Sequence, residues 1–183
     1  YTARVEEIER GCGSLSEFAN GYRWYGFNYS PRERGWWFRE WLPGAKDVYL
    51  FGDFNYWNKT EYPLHKQKDG DWTIFLADEL FADRLTHGSE VKMLVHGDNG
   101  FQERIPSYIR RVVQDDTTKN YNGQFWNPPA AFDWQGDAPV AGKLRSLFIY
   151  EAHIGMAQEK EGVGSYIEFI ENVLPHVRDL GYN

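Results

Sequence analysis

Between Trp24 and about Val113 the apolar residues recur at every second position, in short runs that end in clusters of Gly, Pro, Asn and Asp. Such alternation sends successive side chains to opposite faces, so each run reads as a half-buried strand and each cluster as a turn. Trp24 to Tyr29 and Trp36 to Trp41 flank Ser30-Pro31-Arg32-Glu33-Arg34-Gly35, a hairpin loop. On the second of these runs Trp36, Phe38 and Glu40 share one face, and Trp37, Arg39 and Trp41 the other. Val48 to Phe51, Trp72 to Leu76, Val91 to Val95 and Ile109 to Val113 continue the series. About six or seven short strands with polar turns and no long helix between them predict a mainly β fold, an antiparallel immunoglobulin-like β-sandwich.

The flanks follow other rules. Residues 3 to 10 read as a short helix with a narrow stripe, Val5 and Ile8, ended by Gly11-Cys12-Gly13. Ser14 and Glu17 stand at capping-box spacing and Asn20-Gly21 closes that turn, so residues 1–22 form a helical docking segment with too little apolar surface to fold alone. The sandwich is assigned 23–125. Residues 126–145, with Phe125-Trp126-Asn127-Pro128-Pro129 at their start and Gly, Pro and Ala after Asp133, read as a linker.

In 146–183 the pattern changes to a nearly continuous apolar run, 147–154, as in a parallel strand buried on both faces. Ser165 and Glu168 form a second capping-box pair, and Ile170, Val173, Leu174, Val177 and Leu180 make a helical stripe with Gly181 as its cap. Pro175 lies within the stripe and should kink it or start a second helix. One βα unit has no sheet to join, which predicts a chain cut from a longer one and an orphaned strand prone to associate.

Charge and composition narrow the chemistry. A net charge of −7 argues against nucleic acid and anionic membrane partners. No apolar run approaches a membrane span. The single cysteine, Cys12, cannot close an internal disulfide and fits a reducing compartment. The five His (65, 87, 96, 153, 176) show no metal-ligand spacing, and no Gly-rich phosphate cradle occurs, so no metal or cofactor is expected. Glu151 and His153, two apart on one predicted strand, read either as an acid/base pair or as the polar rim of a barrel strand. With 8 Trp, 12 Tyr and 12 Phe the chain has more aromatic surface than packing requires.

One aromatic stands out. Gly52-Asp53-Phe54-Asn55-Tyr56-Trp57-Asn58 follows the run Val48 to Phe51 as a tight strand exit, with Asn55 and Asn58 as turn formers. It places the Trp57 indole at a sheet rim beside amide groups. A flat apolar ring next to fixed hydrogen-bonding groups suits a sugar, although a core anchor beneath a loop would read the same way. Lys92 alternates away from Val91, Met93 and Val95 and so faces outward.

These residues carry a resemblance. Gly52 to Asn58, preceded by Arg39-Glu40-Trp41-Leu42-Pro43-Gly44-Ala45, resembles the family 48 carbohydrate-binding module of α-1,4-glucan branching enzymes, in the α-amylase superfamily (glycoside hydrolase family 13). Ile105 to Asp115 and Phe125 to Pro129 look like the end of that module and its exit. Ile149 to Gly155 and Ser165 to Asn183 look like the first strand and helix of the family's catalytic (β/α)8 barrel. Four motifs in the family's order cover nearly the whole chain, most weakly before residue 21.

The resemblance implies a glycogen or starch branching enzyme, cytosolic or plastidial, whose partners are α-1,4-glucans and maltooligosaccharides together with the rest of the barrel. Its catalytic Asp and Glu belong to later barrel strands, so no catalytic residue is expected here. It further implies glucan contact at Trp57, with Asn58 beside it, and at Lys92. A second ring usually follows in the next hairpin, where this chain offers Phe101. Trp41 beside Pro43 is another platform, or else packs under the N-terminal helices. Two readings compete with this one: a stand-alone glucan-binding regulatory module, which the βα unit disfavours, and a β-sandwich for protein contacts.

Overall fold

A computed structural model of the chain describes residues 1–137, 146–159 and 161–183. They form two compact units, Tyr1–Ala131 and Phe132–Asn183. Of the segment assigned as linker, 126–137 carries no helix or strand, and 138–145 lies outside the described residues.

The first unit is the antiparallel sandwich. After α1 (Thr2–Cys12) and α2 (Leu15–Phe18), one sheet runs β1 (Gly26–Ser30), β2 (Gly35–Trp41), β6 (Asp71–Ala77), β5 (His65–Lys66). The other runs β4 (Tyr62–Pro63), β3 (Asp47–Gly52), β7 (Glu90–Gly97), β10 (Tyr121–Gln124), β9 (Arg111–Gln114), with β8 (Gly100–Arg104) also on β7. A short helix, α3 (Asp78–Phe81), follows β6. The two-residue period reads the long strands correctly and misses β4, β5, β8 and β10, which are short or lack an apolar alternation. β3 takes one edge of β7, while β8 pairs with Met93 to Gly97 and β10 with Glu90 and Val91 on the other.

Alternate residues of both sheets fill the core: Phe38 from β2, Leu50 from β3, Leu76 from β6 and Val91 from β7 are wholly buried. Removing each from water contributes about 1.5–3 kcal/mol. Glu40 shares that inner face, as its position in the alternation requires, and is buried. Its carboxylate accepts the Ser107 N–H at 2.7 Å and the Trp41 N–H at 3.3 Å, and burial pushes its pKa up. Asp71, also buried, accepts the Trp24 indole N–H (2.9 Å) and the Tyr25 hydroxyl (2.8 Å) and so ties the entry of β1 to β6.

The N-terminal helices behave as their sparse stripe predicts, since α1 buries no residue. Only half of the first capping box forms. Ser14 Oγ accepts the Glu17 N–H, whereas the Glu17 carboxylate takes the Asn20 amide instead.

In the second unit the strand expected over 147–154 does not form. Residues 147–153 carry no strand ladder, and Ile149 is 75% exposed. A strand apolar on both faces needs paired neighbours to satisfy its backbone. Among the described residues its neighbour is Asn183, whose N–H donates to the Phe148 carbonyl at 3.0 Å while its side-chain oxygen accepts the Phe148 N–H at 3.1 Å.

Local signals hold better there. Ser165 and Glu168 form both halves of a capping box at the start of α4 (Tyr166–Asn172). Pro175 opens a second helix, α5 (Leu174–Asp179), and Gly181 (φ 84°) ends it, with the Tyr182 N–H reaching back to the Val177 carbonyl. The stripe is shifted, however. Phe169 is buried with Val173 and Val177 half-buried behind it, while Ile170, Leu174 and Leu180 are exposed.

Candidate functional site

The loop after β3 is built around buried Asn55. Gly52 lies so close to β7 that a Cβ there would stand 2.1 Å from the Glu90 carbonyl, so no larger residue fits. Tyr56 (φ 53°) and Trp57 (φ 61°) then take left-handed backbone, at a cost of about 1 kcal/mol or more each. Asn55 over-determines that shape. Its Oδ1 accepts the Gly52 N–H at 3.0 Å, and its Nδ2 donates to the Asn58 carbonyl at 2.7 Å and to Glu61 Oε2 at 3.2 Å. The Trp57 N–H closes the loop on the Gly52 carbonyl at 2.8 Å.

This places Trp57 outside the sandwich core. Its ring lies edge-on to Phe51, 5.8 Å between centroids, and Phe51 is cross-strand partner of Lys92 on the outer face of the second sheet. The indole N–H donates to Asp53 Oδ1 at 2.9 Å, and Asp53 Oδ2 accepts the Glu90 backbone N–H at 2.7 Å. Asp53 thereby ties the ring to the strand that carries Lys92 two residues on.

Trp57 and Lys92 line one open cleft of about 510 Å³. Lys92 and Lys59 share Glu103, with Nζ–O distances of 3.3 and 2.5 Å, and the bond from Lys59 is the main cause that lowers the Glu103 pKa. The facing wall is the β9–β10 turn with Thr118 and Asn120. There Asp115 accepts the N–H groups of Thr117 and Thr118 and the Thr118 hydroxyl (3.1, 2.6 and 2.7 Å), which hold its carboxyl below the usual range. Asn122 donates to Glu90 at 2.6 Å. The cleft thus offers the edge-on pair Trp57 and Phe51, two ammonium groups, amides and carboxylates. That mixture of donors and acceptors fits a neutral polyhydroxyl ligand better than an anion or an apolar one.

The other sequence candidates lie elsewhere. Asn58 does not line the cleft and serves to close the loop. Phe101 stacks on His96 at 4.3 Å, four residues along β7 from Lys92, and lies outside the cleft. Trp41 and Pro43 adjoin the first sheet. Trp41 is 56% exposed, so it does not pack under the N-terminal helices, and its indole N–H donates to the Asp69 carbonyl at 3.3 Å. Pro43 packs against Gly70 beside it. No hydrogen bond joins Glu151 to His153 among the described residues, and both lie in the stretch without a strand ladder.

The sequence reading missed Asp53, Lys59, Glu103 and the 115–122 wall, having placed no strand between Val113 and the linker. The signal was present: Asp115-Asp116-Thr117-Thr118-Lys119-Asn120 is a run of turn formers ahead of Tyr121–Gln124.

Comparison with known proteins agrees with the fold. Residues 24–110 match carbohydrate-binding module 48 (isoamylase N-terminal domain), so the sandwich is a carbohydrate-binding module of that family. The whole chain aligns with 1,4-alpha-glucan-branching enzymes. It is 41% identical to that of Dictyostelium discoideum over 98% of its length, and 37% identical over its full length to branching enzyme 1 of Pisum sativum. The chain is thus similar to 1,4-alpha-glucan-branching enzymes along its length, and it spans about a quarter of the curated relatives it matches, 26% and 22% of these two. Among solved structures, a GBS pullulanase in complex with maltotetraose covers 87% of this chain at a TM-score of 0.61, and this chain covers 23% of it. At 19% identity that likeness speaks for the fold alone.

Proposed function

We propose that this chain is the glucan-contacting and barrel-docking part of a branching enzyme that moves α-1,4-linked chains to α-1,6 branch points during glycogen or starch synthesis in the cytoplasm. The bond-breaking carboxylates of such a retaining transfer belong to other parts of the protein. The observation that carries the reading is the cleft in which Trp57, locked by Asp53, faces the same space as Lys92 and the Thr118–Asn120 turn. A single stacked ring contributes about 1 kcal/mol beyond its area, so binding of a short oligosaccharide belongs in the millimolar range. Contacts repeated along a polymer would raise retention by avidity. The exposed apolar residues of 146–183, such as Phe148 and Ile167, support docking against further parts of the barrel.

Titration with maltoheptaose, followed by amide and indole NMR shifts, tests the reading. Trp57→Ala should abolish the shifts around Lys92 and Asn120 while lowering stability by only about 1 kcal/mol, since the ring is half-buried. An intact fold with no response at tens of millimolar sugar would leave a protein-contact sandwich as the better account.

A further inference from the structure

A second concavity, of about 410 Å³, lies between the β1–β2 hairpin and α3, and none of its lining residues belongs to the Trp57 cleft. Its apolar floor comes from Phe81 and Leu85, both core residues, and from half-buried Trp36. Tyr29, Asp78 and Asn127 form the walls. Tyr29 is 46% exposed, with its ring 5.1 Å from that of Trp36.

The polar groups here are positioned but not used up. The Tyr29 hydroxyl donates to Asp78 Oδ2 at 2.7 Å, and the Asp78 N–H donates to the Arg34 carbonyl at 2.9 Å, which fixes both phenol and carboxylate. The Asn127 backbone N–H is anchored on His87 Nδ1 at 3.2 Å. Asp78 Oδ1, the Trp36 indole N–H and the Asn127 side-chain amide make no hydrogen bond among the described residues.

Two aromatic rings over an apolar floor, with an acceptor, a donor and an amide left open beside them, complement a pyranose ring, which has a C–H face and a hydroxyl rim. An anion would meet Asp78. An apolar ligand would leave all three open groups unpaired, at a cost in each case. We propose that this cavity is a second saccharide subsite, which binds a glucose unit of an α-1,4-glucan chain. Tyr29 supplies the stacking surface, and Asp78, Trp36 and Asn127 supply the hydrogen bonds. The identity of the sugar rests on the glucan reading above; the cavity and its open groups do not. Two subsites on one module would let a single polymer be held at two points.

The experiment is a maltoheptaose titration of the full chain and of Trp57→Ala, Tyr29→Ala and Asn127→Ala, each alone and on the Trp57→Ala background. Shifts around Tyr29 and Asn127 should persist in Trp57→Ala. Adding Tyr29→Ala should weaken that residual binding by about tenfold, and Asn127→Ala by about threefold. Asn127 is exposed and its side chain is unbonded, so its variant decides the matter even if Tyr29→Ala fails to fold. If the shifts near Tyr29 are absent in wild type, or if neither substitution alters residual binding, the proposal is wrong while the Trp57 site stands. If Trp57→Ala binds as wild type does and Asn127→Ala does not, the Trp57 reading fails and this one survives. No binding in any form sinks both.

Discussion

The 146–183 segment is no less apolar on paper than the sandwich, yet only the sandwich closes on itself. Phe38, Leu50, Leu76 and Val91 lose essentially all contact with water, whereas Ile149, Ile167 and Leu180 are each more than half exposed. What differs is supply of partners. Every long strand of the sandwich finds a neighbour and a facing sheet within residues 26–124. Among the described residues, the 147–154 run finds Asn183 for the Phe148 backbone and Tyr182 for the Tyr150 ring, and no strand. Helical signals survive such isolation because a helix satisfies its own backbone, and a strand cannot.

The largest test of that contrast is a pair of truncations. Phe38→Ala should lower stability by about 3–5 kcal/mol, through lost transfer energy and the cavity left behind. Ile149→Ala should stay within about 0.5 kcal/mol, because the side chain is already in water. Urea unfolding followed by Trp fluorescence reads both. A cost above roughly 2 kcal/mol for Ile149→Ala would mean that the run is packed in solution, which would erase the contrast.

The same logic explains what could be read from the sequence. The period of two placed β2, β3, β6 and β7 within a residue or two, because each sends an alternating apolar set into the core, such as Val48 and Leu50 or Trp72, Ile74 and Leu76. It missed β4 and β5, two residues each, whose places are set by pairing with β3 and β6 rather than by any pattern of their own. Trp57 and Lys92, singled out through a strand exit and a family resemblance, line one cleft. Asp53 and Glu103 were not singled out, since their roles depend on cross-strand neighbours, Glu90 and Lys92, that are 37 and 11 residues away. Asn58 and Phe101 lie outside that cleft. Nearness in sequence or along a strand did not bring them to the cleft.

A smaller effect separates local from tertiary order in the second unit. Ser165 caps α4 by accepting the Glu168 N–H at 3.2 Å, and Glu168 returns the bond to the Ser165 N–H at 2.9 Å. Ser165→Ala should cost about 1 kcal/mol and show as faster amide exchange across 166–172, with the sandwich amides unchanged. Faster exchange in both units together would instead make them one cooperative block.

The smallest effect is confined to the sandwich and to high pH. Burial, and then the bond to Asp71, push the Tyr25 hydroxyl from 10.0 up to about 12. The folded state therefore keeps this proton where the unfolded chain has released it. Its contribution is fully present below pH 10 and fades as pH rises to about 12. Tyr25→Phe should cost about 1 kcal/mol at neutral pH, with Asp71 keeping the Trp24 indole N–H as its donor. Stability of wild type minus variant should then shrink across that alkaline window, as read by thermal unfolding at stepped pH. A difference between wild type and Tyr25→Phe that stayed flat from pH 7 to about 12 would show that Asp71 does not hold the Tyr25 proton, and that β1 is anchored to β6 by packing and the Trp24 bond alone.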